Sequence, residues 1–176
     1  SNKNINYKIF IVDDSKESTI SNIVKPYENK LRYHHRGKKL GRGSAVILGM
    51  NYILATEFTD LIIEMDADFS HDPSELVQKI KIFSQNQLDL LIASRYLKNS
   101  KIVGWPISRK ILSFTSNKLT KFLLSVPVSD YTNGYRFYSK RAVSYIVKNC
   151  GRIGDGFIVL SEILLELHCN NFKVRE

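Results

Sequence analysis

Five stretches of the chain are apolar and rich in β-branched or aromatic residues, and each ends in polar or charged residues. They predict strands at Tyr7 to Val12, Tyr33 to His35, Leu61 to Met65, Leu88 to Ala93 and Tyr135 to Ser139. Between and after them the spacing turns helical. Ala45, Gly49, Tyr52 and Ile53 share one face of a helix from about Ser44 to Glu57. Leu76, Val77, Ile80 and Phe83 form the expected buried stripe of another, with Asp72 as its N-cap, Pro73 as its first residue and Glu75 in its first turn. Helical patterns also cover Ser18 to Lys30, Pro106 to Val126, Arg141 to Asn149 and Phe157 to His168, and Phe172 to Glu176 reads as the start of a strand. The run ending at Met65 is apolar on both sides of its alternation, as in a strand covered by helices on both faces. Strands alternating with helices predict an α/β fold with an open, mostly parallel sheet and helices on both faces.

Ligands of such sheets gather at the carboxyl ends of the strands. There the chain places Asp13 and Asp14 after the first strand, Asp66 and Asp68 after the third, and Arg95 after the fourth. Two carboxylates one residue apart repel unless one is protonated or a cation lies between them, so a divalent metal is the economical reading of Asp66 and Asp68. A solvated acidic loop is the bland alternative, and Asp72 reads as a cap rather than a ligand.

The 176 residues, 43% of them hydrophobic, suit one domain with a real core. The formal charge of +9 points to an anionic partner: nucleic acid, a phosphorylated substrate or an anionic membrane face. No run approaches the ~18 apolar residues of a spanning helix, and no signal peptide opens the chain. Cys150 and Cys169 lack metal-ligand spacing and read as reduced packing residues.

Six Lys or Arg residues and no acid lie between Lys30 and Arg42. Gly37, Gly41 and Gly43 among them would let backbone amides approach a phosphate just before a helix, although the spacing matches neither a P-loop nor a dinucleotide fingerprint. A solvated basic loop is equally open. Arg109, Ser113 and Asn117 form one polar stripe of the Pro106 to Val126 segment, whose remaining surface is largely apolar. The commoner reading buries that surface against the sheet. The other lays it in a lipid headgroup region, with Arg109, Lys110, Lys118 and Lys121 on phosphates. Arg136 follows a turn at Asp130 to Gly134 and has Asp130 as an alternative partner, and Glu162 is open between a surface charge and a base.

Taken in order, IVDD at Ile11 to Asp14, KLGRGSA at Lys39 to Ala45, MDADFSHDP at Met65 to Pro73, ASRY at Ala93 to Tyr96, GWPISRK at Gly104 to Lys110, SNKLT at Ser116 to Thr120 and SDYTNGYRFY at Ser129 to Tyr138 resemble the dolichol-phosphate mannose synthases. These are inverting glycosyltransferases of the GT-A nucleotide-sugar-binding fold. The resemblance implies that Asp66, Asp68 and Ser70 hold Mg²⁺ or Mn²⁺. It places Asp13, Asp14, Lys39, Asp66, Ala67, Arg95, Ser113 and Arg136 around the nucleotide sugar, GDP-mannose first. Asp68, Arg95 and Arg109 would serve the reaction itself, with Arg95, Arg109 and Arg136 clamping phosphates and Ser113 beside Arg109 on the acceptor side. The implied acceptor is a polyprenyl phosphate, whose ionised oxygen needs no strong base, at the cytoplasmic surface of a membrane. A glucosyltransferase using UDP-glucose shares the same motifs.

Against the family pattern, the chain opens after a first strand with a Pro-x-Tyr-Asn-Glu type turn. It also carries Lys16 to Thr19 in place of Asp-Gly-Thr and Leu97 to Ser100 in place of a double glycine. Residues 1–176 are thus expected to be a single, shortened catalytic domain. Among rivals, Ile11 to Ser15 also suits a phospho-receiver, but that fold has no use for Asp68 and ends well before residue 176. A haloacid-dehalogenase-type phosphatase lacks its second acidic pair, and a calcium loop is excluded by His71 and Val77 where glycine and glutamate belong. A basic nucleic-acid module would not interleave strand-end carboxylates with its cations, so no nucleic-acid partner is expected.

Overall fold

The computed structural model describes residues 5–57, 59–97, 100, 106–152, 154, 156 and 158–176, with Arg109 described by its backbone alone. The elements follow the hydropathy pattern closely: β1 (Ile9–Asp13), α1 (Ser21–Val24), β2 (Leu31–His35), α2 (Arg42–Thr56), β3 (Leu61–Glu64), α3 (Leu76–Gln85), β4 (Leu90–Ile92), α4 (Ile107–Leu124), β5 (Arg136–Ser139), α5 (Lys140–Asn149), α6 (Ile158–Cys169) and β6 (Val174–Arg175). A 3₁₀ turn at Lys25–Tyr27 extends α1, and another at Pro73–Glu75 opens α3. As expected, Asp72 caps that turn, its carboxylate accepting from the Ser74 amide at 2.8 Å.

β1 and β2 form a parallel pair, and the other four strands form a second sheet in the order β3-β5-β4-β6. This sheet corrects the expectation of a mostly parallel one. β4 and β6 run parallel, but β5 lies antiparallel between β3 and β4. Alternation of apolar residues reports burial, not direction. The chain leaves β4 at its carboxyl end and re-enters at the same edge after α4, so Arg136 pairs with both Glu64 and Ile92, the last residues of β3 and β4. That reversal brings the turn before β5 to the edge where Asp66 and Arg95 emerge.

Helices do cover both faces of this sheet. Ile62, Leu90, Ile92 and Tyr138 point to one side and pack with Met50 of α2, Val143 and Ile146 of α5 and Ile163 and Leu167 of α6. Leu61, Ile63, Leu91 and Phe137 point to the other and meet Leu76, Ile80 and Phe83 of α3. The period of two thus feeds two cores from one sheet. Val77, expected on the stripe of α3, is 67% exposed instead. It stands one position beyond the arc that three neighbours already fill. α2 covers β1, where Tyr52 stacks on Phe10 with ring centroids 4.2 Å apart. Gly49 faces Phe10 and Val12, where a Cβ would make ordinary van der Waals contact.

α4 inverts the usual arrangement. Its Asn117 is buried, whereas Ile107, Ile111, Leu112, Phe114, Leu119, Phe122 and Leu123 are all more than half exposed. The reading that buries this helix's apolar surface against the sheet is therefore corrected: Ser113 and Asn117 of the polar stripe face the protein and the apolar surface faces out. Cys150 is a buried free thiol as expected, while Cys169 is exposed rather than packed.

Candidate active site

Beyond the end of β3 the chain turns sharply, and the turn is built around His71. The Asp66 amide donates to Nδ1 of His71 at 2.9 Å, which makes Nδ1 the acceptor and leaves the ring proton on Nε2, facing Asn133 Oδ1 at 3.2 Å. Asn133 in turn donates a hydrogen bond from Nδ2 to the Ala93 carbonyl. One buried imidazole, stacked 5.0 Å from the Tyr135 ring, thereby ties the ends of β3 and β4 to the turn before β5. Asp68, at the tip, is exposed and accepts from the Ser70 amide at 3.0 Å. The hydroxyl and amide of Ser70 hold its carboxyl below the usual carboxylate range, so it stands ionised. Ser70 thus orients Asp68. Phe69 between them has φ 62° and is fully exposed, and Ala67 is exposed as well.

The first acidic pair is differently occupied. Asp13 accepts from the Ser15 hydroxyl and the Tyr33 hydroxyl, both at 2.6 Å, which draws its pKa down to about 2. Asp14 accepts from the amides of Leu40 and Gly41 at 2.9 and 2.8 Å and pairs with Arg36 at 2.5 Å. Burial opposes its charge, but the two amides and the guanidinium prevail and its pKa falls. This corrects the reading of the glycine loop as a phosphate cradle, because a carboxylate of the chain itself already takes those two amides. Lys39 is exposed beside them.

Arg95 is held by Asp130. Its Nε and Nη2 reach the two carboxylate oxygens at 2.8 and 2.6 Å, and Nη2 also reaches Thr132 Oγ1 at 2.9 Å. Burial works against the guanidinium charge, and Asp130, with a smaller contribution from Asp66, more than restores it. The side chain remains about one-fifth exposed at the carboxyl edge of the sheet. Asp130 is therefore the partner of Arg95, not of Arg136.

Arg136 is a correction. It is wholly buried, and its guanidinium donates to the carbonyls of Asn133, Leu160 and Tyr131, each at 2.8 Å. It braces the turn against α6 and cannot clamp a phosphate from there. Glu162, also buried, accepts from the Gly151 amide at 2.9 Å and serves as a brace rather than a base. On α4, Ser113 accepts from the Tyr96 hydroxyl at 2.6 Å, and Asn117 Oδ1 accepts from the Tyr131 amide at 2.7 Å. The polar stripe is thus the face that docks α4 onto the loop carrying Arg95. The expectation for the Arg109 side chain, like those for residues 104 and 105, lies outside the described residues.

Three residues of the site escaped the sequence reading. Arg42, counted only within a basic run, places Nη2 2.7 Å from Glu64 Oε1 and 2.9 Å from Asp66 Oδ1. Glu64, which lies inside the run read as a nearly all-apolar strand and drew no role there, accepts from Tyr138 Oη at 2.8 Å through its other oxygen. A signal for His71 existed in its spacing, five residues past Asp66 and outside any apolar stripe. None existed for Arg42, which opens α2 while its partners lie at the far end of the next strand and just beyond it.

Asp66 and Asp68 offer partly exposed, hard oxygen donors suited to Mg²⁺ or Mn²⁺. No cluster of three or more His, Cys, Asp or Glu ligands occurs among the described residues. The donor set therefore fits an ion that keeps water and borrows phosphate oxygens, as Mg²⁺ does in nucleotide sites. Cationic Arg95 on the same edge suits a diphosphate.

The sequence profile of glycosyl transferase family 2 matches residues 1–147. The polyprenol monophosphomannose synthase of Mycolicibacterium smegmatis is 36% identical over 118 residues, 67% of this chain and 44% of that protein. The undecaprenyl-phosphate mannosyltransferase of Micrococcus luteus is 38% identical over 104 residues, 59% of this chain and 42% of that protein. The chain thus spans less than half the length of these curated relatives. Among solved structures, glucosyl-3-phosphoglycerate synthase from Mycobacterium tuberculosis in complex with Mn²⁺, UDP and phosphoglyceric acid superimposes with a TM-score of 0.57 at 12% identity, covering 96% of this chain and 56% of that one. At that identity the likeness establishes the fold, which is GT-A. With 147 of its 176 residues matched, the chain belongs to glycosyl transferase family 2.

Proposed function

We propose that this chain carries the donor site of a transferase that moves a hexose, mannose from GDP-mannose, onto a polyprenyl phosphate with inversion. The observation that carries the reading is that Asp66 and Asp68 follow the end of β3 and Arg95 follows the end of β4, with Asp66 near enough to favour the Arg95 charge, beside a helix whose apolar face is turned outward. Asp66 and Asp68 would hold Mg²⁺ or Mn²⁺, which when bound would offset negative charge on the departing diphosphate. Arg95, fixed by Asp130, supplies positive charge to the same group without having to reorganise. An ionised phosphate oxygen of the acceptor forms the new bond to the anomeric carbon as the bond to the diphosphate oxygen breaks. The electron pair leaves with the nucleoside diphosphate, no proton is transferred, and attack from the opposite face inverts the centre.

α4 supports a lipid acceptor. Its exposed apolar side chains are accompanied by Lys110, Lys118 and Lys121, and each cation near an anionic bilayer contributes about 1 kcal/mol. No helix among the described residues is long and apolar enough to cross a membrane. The proposed attachment is through this face of α4, at the cytoplasmic surface.

The test is nucleotide binding and sugar transfer by the 176-residue chain with GDP-mannose or UDP-glucose, a polyprenyl phosphate, and Mn²⁺ or chelator. Metal-dependent mannosyl transfer from GDP-mannose is expected, and Asp68→Asn should lower donor affinity at least about tenfold without unfolding the chain. Transfer from UDP-glucose alone would reassign the sugar. Nucleotide binding indifferent to metal and to Asp68 would overturn the site.

A further inference from the structure

Asp66 already has a cation. Nε and Nη2 of Arg42 lie 3.0 and 2.9 Å from the same oxygen, Oδ1, and Nη2 also lies 2.7 Å from Glu64 Oε1. One guanidinium nitrogen therefore sits between two carboxylates at the end of β3. The slot is built for it: a Cβ on Gly134 would fall 1.7 Å from Nη2. The Arg42 side chain is only 19% exposed, and Glu64 and Asp66 are the carboxylates it faces.

We infer that Arg42 is a positioning residue that stands in for the metal at Asp66, so that a divalent ion enters together with a nucleoside diphosphate rather than ahead of it. The inference rests on the metal reading proposed above. A divalent ion on Oδ1, at the ~2.1 Å typical of Mg²⁺ to oxygen, would share that atom with the guanidinium, and two like charges at that separation repel. With no nucleotide bound, Arg42 sets its one positive charge between Glu64 and Asp66, while Asp68 at the tip stands exposed. A diphosphate adds negative charge and oxygen donors, and the balance passes to the metal. Arg42 also keeps Glu64 and Asp66 from repelling each other while the ion is absent.

The decisive measurement is Mn²⁺ titration by electron paramagnetic resonance, without nucleotide and with GDP, on the parent chain and on Arg42→Met. Arg42→Met should bind nucleotide-free Mn²⁺ about tenfold more tightly, within the usual range of coupling between sites, and the gain conferred by GDP should shrink in proportion. Arg42→Lys, which keeps the charge, should behave like the parent. Because Arg42→Met exposes Glu64 to an unpaired burial, Arg42→Met/Glu64→Gln relieves the fold and should retain the tighter binding, whereas Arg42→Met/Asp66→Asn should lose it. Nucleotide-free affinity unchanged or weakened in Arg42→Met and in Arg42→Met/Glu64→Gln overturns the role of Arg42. If the parent still binds Mn²⁺ with GDP in that case, the metal reading stands; if it does not, both fall.

Discussion

The Nε and Nη2 atoms of Arg95 meet both oxygens of Asp130 at 2.8 and 2.6 Å, and the Arg95 amide donates to the same carboxylate at 3.0 Å. Asp130 is completely buried and also accepts from the Asn133 amide at 3.1 Å. Four donors on one carboxylate lock the end of β4 to the turn before β5. Asp130→Ala leaves a partly buried guanidinium without its counter-charge, and urea unfolding should show a loss of about 3–5 kcal/mol. Under native conditions the same variant should bind nucleoside diphosphate more weakly.

His71 is buried behind the Asp66 turn and determines where Asp66 emerges. His71→Ala removes the acceptor for the Asp66 amide and the donor to Asn133, so about 1–3 kcal/mol of stability should be lost in denaturant titration. Metal-dependent nucleotide affinity should fall with it. An unchanged affinity would show that the turn keeps its shape without the imidazole.

The outward face of α4 makes a prediction about lipid. Phe122 is 82% and Leu119 60% exposed, and burying such a side chain contributes about 1.5–3 kcal/mol. Leu119→Glu/Phe122→Glu should therefore lower partitioning onto anionic vesicles at least about tenfold in a sedimentation assay, with the circular dichroism spectrum unchanged. Raised salt should weaken binding of the parent, because Lys118 and Lys121 act through a screened field.

Asp13 links stability to pH. Its carboxyl titrates at about 2 in the folded chain against an ordinary 3.8, so its contribution is complete above 3.8 and disappears as the pH falls toward 2. Asp13→Asn should be less stable than the parent near pH 6 by about 1 kcal/mol, a figure kept small by solvent screening. The gap should close in urea titrations carried down to pH 2. A gap independent of pH would assign the effect to packing of Tyr33 instead.

The hydropathy pattern located the strands to within two residues or so at each end, because burial on both faces leaves runs such as Leu61 to Met65 with no other explanation. It placed Asp66 and Asp68 at the strand end for the same reason, and Asp72 announced the start of α3 through its own capping chemistry. Arg136 misled because a cation after a glycine turn reads alike whether it faces a ligand or three backbone carbonyls. α4 was ambiguous because an amphipathic stripe fixes which residues share a face without saying which face turns inward.

What the sequence determined by itself is therefore local: periods of two and 3.6, caps, and acids that stand where an apolar run stops. Tertiary structure alone decided the reversed direction of β5, the pairing of Arg95 with Asp130 and the meeting of Arg42 with Glu64 and Asp66. Each of these depends on where the chain re-enters the sheet, and re-entry is settled by packing between segments that are dozens of residues apart.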